Sequence, residues 1–323
     1  MSVAQGKTAR EKLESPTLAM LPRIAESLSF LYLDAVRVVQ DKTGVCARVG
    51  TEGGGDRVYL PTAALSCVLL GPGTSITQPA LATLARHGTT VVCAGSGAVR
   101  AYSAIQPASL TTHWLELQAR AWASDEQRLA VATRLYLHRF GNAVPPGATL
   151  PQLRGIEGQR VKALYKLLAG KHRISRFRRN YDPDSWDSQD PVNLALSAAN
   201  ACLYGVVHSA ALAMGCSPAL GFIHSGTQHA FIYDIADLYK ADITIPLAFE
   251  LHDSARPEID VRWRLRDKLR LFRLLPRIVT DIQHILDPAS VPAVPDRDPD
   301  LVHLWDPDLG DLPAGVNYAG QET

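Results

Sequence analysis

The chain has 323 residues, 46% of them hydrophobic and 20% charged, with 33 Lys/Arg against 32 Asp/Glu and a formal net charge of +1. This composition is globular, which sets aside a disordered chain, and the length suffices for a substantial core and two domains. A near-zero balance by itself argues against a nucleic-acid partner, but residues 281–323 carry nine acids against one Arg, so the remainder is strongly basic.

Residues 1–26 are polar at their start (MSVAQGKTAREKLESP), show no apolar signal segment behind a basic start, and read as a mobile tail of a cytoplasmic protein. From about residue 27 to 106 the chain reads as a β-rich domain. SFLYLD, VRVVQD, VCARVG, RVYLP, SCVLL, TTVVCA and AVRAYS are short, rich in β-branched residues and separated by turn signals. Asp41 to Gly44 (DKTG) has hairpin-turn chemistry, and Thr51 to Asp56 (TEGGGD) a longer flexible turn. One helix is expected from Ser75 to His87. GSGAV at Gly95–Val99 lacks both the GxGxxG and the Walker spacing, so it reads as a turn rather than a phosphate loop.

After Pro107 the period becomes helical. Trp114, Leu117 and Ala121, then Leu129, Ala132 and Tyr136, follow i, i+3, i+7 spacing. Further helices are expected over about 149–170, 192–214, 229–252 and 259–286, with a loop containing four aspartates from Asn180 to Pro191. Residues 191–233 contain no Asp, Glu, Lys or Arg, which imitates a membrane span. Asn193, Ser197, Asn200, His208 and Ser209 interrupt it, so a close-packed core helix is expected and no membrane association. Residues 154–179 hold nine Lys/Arg and one acid, and 256–277 hold eight Lys/Arg and three acids, an electrostatic footprint for phosphates or else two solvated helix faces. Beyond 287 the chain fills with Pro and Asp and reads as an acidic disordered tail. The fold class is therefore α+β: a small N-terminal β-rich domain (27–106), then a larger all-helical domain (107–287), with tails at 1–26 and 288–323. The five cysteines form no CxxC pair and read as small buried hydrophobes.

Chemistry concentrates in three words: GIEG at Gly155–Gly158, GFIHSG at Gly221–Gly226 and YDIADLYK at Tyr233–Lys240. They supply Glu157, His224, Asp234 and Asp237, a set of oxygen and imidazole donors suited to a hard divalent ion. Asp234 and Asp237 are three apart and share a helix face. Each residue also has a plainer reading. The aspartates could be solvated or capping, His224 a hydrogen-bonded core histidine, and Glu157 an ion-pair partner of Arg154 or Arg160. The aspartates interrupt an apolar run (Phe231, Ile232, Ile235, Ala236, Leu238), where a buried acid needs a partner. His224-Ser225 has no GxSxG around it, and no HExxH is present.

At these residues the sequence resembles the CRISPR-associated adaptation integrase family (CRISPR-associated protein one), in its type I-E form. LRGIEGQRVKALYKLLA from Leu153, ANACLYGVVHSAALAMGCSPALGFIHSG from Ala199 and FIYDIADLYKADITIPLAFE from Phe231 carry it. DKTG from Asp41 and LGPGTSIT from Leu70 extend it to about residues 28–285. The resemblance implies an asymmetric homodimer built through the β-rich domain. It also implies a heterohexamer with a dimer of the small second CRISPR-associated protein, and insertion of short foreign DNA beside the leader of a CRISPR array. It places Mg²⁺ or Mn²⁺ ligands on Glu157, His224 and Asp237, and a further acidic catalytic position, tuning the site from behind the ligands, on Asp234. It also implies DNA contacts at Arg100, Tyr204, Tyr233, Lys240 and Arg262. In such chemistry the 3′-hydroxyl of the incoming DNA is the nucleophile, so no Ser or Cys nucleophile is required. Ser75 stands where a relative carries Arg, Thr227 where a relative carries Lys, and the 51–56 turn is longer. A stand-alone nuclease on branched DNA would use the same four residues, and a non-catalytic DNA-binding scaffold would need only the basic clusters.

Overall fold

The computed structural model describes residues 17–20, 30–49, 56–96, 100–108, 110–141, 144–175, 177–179, 190–289, 304–306 and 310–312. The chain divides into two compact units, one of residues 1–98, 102–110 and 289–323, the other of 99–101 and 111–288.

The strand-bearing unit contains all seven strands expected from composition. They are β2 (Phe30–Asp34), β3 (Arg37–Gln40), β4 (Val45–Val49), β5 (Asp56–Tyr59), β6 (Cys67–Leu70), β8 (Thr90–Ala94) and β9 (Ala101–Ile105). Four more strands were not expected, two of them in the acidic tail. β1 (Thr17–Met20) lies inside the segment read as a mobile tail, yet its TLAM pairs antiparallel along β2 and so covers the edge that β2 would otherwise leave bare. β7 (Ser75–Ile76) pairs in parallel with β3, so the helix expected from Ser75 begins later, as α1 (Gln78–Arg86). One sheet has the order β1-β2-β6-β8-β9, with β2, β6 and β8 parallel; the other has the order β5-β4-β3-β7. β2 and β6 are buried along their whole length, as expected of parallel strands covered on both faces. The β3–β4 hairpin turns on DKTG as its chemistry requires: the Asp41 carboxylate accepts from the backbone N–H of Thr43 (2.8 Å) and Gly44 (3.1 Å). Residues 51–55 of the longer turn and 97–99 of GSGAV lie outside the described residues. Within the acidic tail, β10 (Leu304–Asp306) and β11 (Gly310–Leu312) pair antiparallel, so these two short pieces are strands rather than disordered chain.

The helical unit begins with α2 (His113–Ala123) and α3 (Asp125–Phe140), which correspond to the two periodic runs after Pro107. Ser124 separates them and caps α3 by accepting from the Gln127 N–H. α4 (Leu150–Lys171) starts at a Thr149/Gln152 capping box, and α5 (Pro191–Ala213) at the Asp190 carboxylate. Most of the loop expected from Asn180 to Pro191 lies outside the described residues. α5 is long and apolar enough to cross a membrane, but 72% of its most apolar stretch is buried inside the molecule. It packs against α6 (Ala230–Tyr239), α7 (Ile245–Glu250) and α8 (Pro257–Leu286). The single helix expected over 229–252 is therefore two, joined by a π-helical turn at Lys240–Thr244. The physical cause is Pro246, which has no N–H to return to the 242 carbonyl and whose ring crowds that turn. All five cysteines are unpaired, and Cys46, Cys67, Cys202 and Cys216 are buried.

Candidate active site

The centre of the site is a buried carboxylate. Asp234, on the second turn of α6, is 1% exposed and faces the loop that precedes its helix. One of its oxygens accepts from the backbone N–H of Phe222 (2.5 Å) and Ile223 (3.0 Å). The other accepts from the His224 N–H (2.9 Å) and from His224 Nδ1 (2.7 Å). Both aspartate oxygens are thus engaged within the protein, and the solvated reading of Asp234 does not hold. Its role is to fix His224 by backbone and ring at once. A carboxylate on Nδ1 sets the imidazole tautomer and leaves Nε2 as the free donor, the arrangement usual behind a ligating histidine. That hydrogen bond raises the His224 pKa; burial opposes the rise, and the charges of Asp234 and Asp237 add to it.

Side chains from three further helices hold the same loop. Gln118 of α2 donates to the carbonyls of Ser217 (2.9 Å) and Leu220 (3.1 Å) and accepts from the Ser217 N–H. Arg128 of α3 donates to the Phe222 carbonyl, and Arg154 of α4 to that of Ile223. Gly221 is required by close approach: a Cβ there would fall 2.6 Å from the Ala230 backbone and from the His224 carbonyl oxygen.

Glu157 pairs with neither Arg154 nor Arg160, the two partners its own helix suggested. Instead it reaches α3, where Arg139 donates to Oε1 (2.6 Å) and the Tyr136 hydroxyl to Oε2 (2.9 Å). Arg160 lies over the Phe140 ring, 4.5 Å from its centroid. The same nitrogen of Arg139 stands 3.9 Å from Asp237 Oδ2, so one buried guanidinium faces both carboxylates. Asp237, 7% exposed, takes Lys240 Nζ on its other oxygen at 2.5 Å. The π turn begins at Lys240, so this side chain stays within reach of the preceding helical turn. Burial disfavours the Lys240 charge, but Asp237 and Tyr204 outweigh it and hold its pKa above the ordinary value. Tyr204 stacks edge-on against Tyr233 (4.8 Å between ring centroids) and lies under Lys240 (4.8 Å). Tyr233 also abuts the His224 ring (5.7 Å).

The fold thus gathers Glu157, His224, Asp234, Asp237, Tyr204, Tyr233 and Lys240. Among the described residues no hydrogen bond or ion pair ties Arg100, exposed ahead of β9, or Arg262, half-buried on α8, to this group. Sequence reasoning missed Arg139 and the loop-holding Gln118 and Arg128. Arg139 carried one readable signal: it is three residues after Tyr136, on the face that faces α4. Part of the basic cluster is structural, since Arg154, Arg160 and Arg179 are engaged with protein groups, while Lys162, Lys166, Lys171 and Arg173 are exposed. Two carboxylates and an imidazole Nε2 form a donor set that suits a hard or borderline divalent ion. Among the described residues no three His, Cys, Asp or Glu side chains form a ready-made cage, and Arg139 and Lys240 take up oxygens of Glu157 and Asp237.

Comparison with known proteins identifies the family. The family model described as CRISPR associated protein Cas1 matches residues 135–257, which include Glu157, His224, Asp234 and Asp237. A protein of Clostridium sp. (strain SY8519) named CRISPR-associated endonuclease Cas1 is 36% identical over 93% of this chain and 99% of its own length. A second, from Thermus thermophilus and named CRISPR-associated endonuclease Cas1 2, is 38% identical over 94% of both chains. Among solved structures, a TtCas1–DNA complex superposes with a TM-score of 0.75 at 39% identity, covering 82% of this chain and 99% of that one.

Proposed function

The chain belongs to the CRISPR associated protein Cas1 family, and from that premise we propose that it is a metal-dependent DNA endonuclease and integrase of CRISPR adaptation. It would insert short foreign DNA into a CRISPR array by attack of a 3′-hydroxyl on a phosphodiester. The observation that carries this reading is the Asp234–His224 couple, set beside two carboxylates that share one guanidinium. Buried acids held in this way are costly to fold and suit a charge-handling site rather than a packing role.

In this reading Glu157, Asp237 and His224 Nε2 hold Mg²⁺ or Mn²⁺. The bound ion supplies Lewis-acid activation of the phosphodiester and of the attacking hydroxyl. Asp234 does not ligate; it holds the Nδ1 proton and the loop backbone, so that His224 is aimed before DNA arrives. Tyr204, Tyr233 and Lys240 would form the wall where a DNA strand end lies, with Lys240 as its cation, paired with Asp237. Lys162, Lys166, Lys171 and Arg173 on and after α4, together with Arg100 and Arg262, would bind the DNA backbone. The words carrying the resemblance favour the type I-E form, with a homodimer and the small second CRISPR-associated protein as partners in a cytoplasmic complex.

The test is strand transfer on a branched DNA substrate with the purified chain and Mn²⁺ or Mg²⁺, wild type against His224→Ala. Joined-strand product from wild type alone, with DNA binding in the variant within severalfold, is the expected result. Full strand transfer by His224→Ala would remove the histidine from the reaction, and cleavage without joining would reduce the activity to that of a nuclease.

A further inference from the structure

Arg139 is the least explained charge in the site. Its side chain is 6% exposed, its guanidinium carbon lies 4.9 Å from the Phe140 ring centroid, and its Nη1 faces Glu157 (2.6 Å) and Asp237 (3.9 Å) at once. It comes from α3, whereas those carboxylates come from α4 and α6. With Lys240 on the far oxygen of Asp237, the two carboxylates face two cations, and the pair is neutral as built.

We infer that Arg139 is a built-in counter-cation of the metal site: it holds Glu157 and Asp237 together, and it competes with the divalent ion for them. The inference rests on the metal-site reading above. Its physical basis is charge. An ion placed between two carboxylates already matched by two fixed cations adds a charge of two, which Asp234 behind His224 offsets only in part, and a positive group within a few ångströms repels it strongly in a half-buried setting. A phosphodiester is the group that restores balance, and the guanidinium fork is shaped to turn from carboxylate to phosphate. Ion and DNA are then linked, each raising the other's affinity. Arg139 is a positioning residue here, and it sets when the ion binds.

The experiment is a Mn²⁺ titration of the full chain without DNA, read by electron paramagnetic resonance of the free ion, on wild type, Glu157→Gln, Arg139→Gln and Arg139→Lys. Circular dichroism verifies the fold of each. Arg139→Gln, which removes the charge, is expected to bind Mn²⁺ roughly tenfold more tightly than wild type. Arg139→Lys, which keeps it, is expected to stay within about twofold. Unchanged or weaker binding in a folded Arg139→Gln overturns the inference. Should both variants fail to fold, the wild type still decides: the Arg139 Nε–H resonance must shift as Mg²⁺ is added, and a resonance that stays in place at saturation overturns it. A wild type that takes up no Mn²⁺, or a Glu157→Gln that binds as well as wild type, defeats the metal-site reading itself.

Discussion

Removal of the Asp234 charge should unfold the site before it touches the chemistry. Asp234→Ala removes both acceptor oxygens and leaves the amides that the carboxylate satisfied unpaired. The amides of Phe222 and Ile223 are the ones that matter for stability, because these residues are 0% and 4% exposed and water cannot replace the lost acceptor. Leaving a buried donor unsatisfied costs about 1–3 kcal/mol. Two such donors put the loss at about 2–6 kcal/mol. For a unit of this size each kcal/mol lowers the melting temperature by about 2–4 °C, so a fall on the order of 10 °C is expected. Differential scanning calorimetry of the full chain measures it, with Asp242→Asn, a change at an exposed aspartate of the π turn, as the control that should leave melting unchanged. An Asp234→Ala protein that melts within about 2 °C of wild type would refute the argument that this carboxylate is the keystone of the loop.

Three further outcomes are expected. Asp237→Asn should weaken Mn²⁺ binding more than Asp234→Asn does, because Asp234 has both oxygens engaged in the protein; calorimetric titration giving the reverse order would exchange their roles. Arg100→Ala should lower DNA affinity and flatten the slope of log affinity against log salt by roughly one unit; an unchanged slope would exclude a phosphate contact. His138 Nε2 donates to Asp281 Oδ1 (3.0 Å), and that hydrogen bond raises its pKa against the opposing effect of burial. A raised folded pKa means that the pair stabilises fully below the unfolded value of 6.5 and fades as pH rises through the folded one. His138→Ala should therefore lower the melting temperature more at about pH 5.5 than at about pH 8.5, and an equal loss at both would contradict the assignment.

The strands were legible because β-branched runs between turn residues carry their own signal, whereas β7 has only Ser75 and Ile76 and exists because β3 offers an edge. The helices from α2 onward were legible from their period and caps. The break at Lys240 was less so, since Pro246 acts several residues upstream of itself. At the site, the ligand-type residues stood out because acids and a histidine interrupt apolar surroundings. Their partners did not, because the pairing of Glu157 with Arg139 joins two helices. Local spacing pointed instead to Arg154 and Arg160, which the fold uses elsewhere.

The loop from Ser217 to His224 is tied to α2, α3, α4 and α6 by Gln118, Arg128, Arg154 and Asp234. In the language of hydrogen exchange, this loop has no private opening motion. To free the amide of Phe222, the aspartate of another helix must let go, and the loop's carbonyls are held by three more. The amides of Phe222 and Ile223 should then exchange as slowly as those of the buried helix α5, through unfolding of the whole unit. A histidine carried on such a loop is positioned with the constancy of a core residue while its ring remains open to solvent.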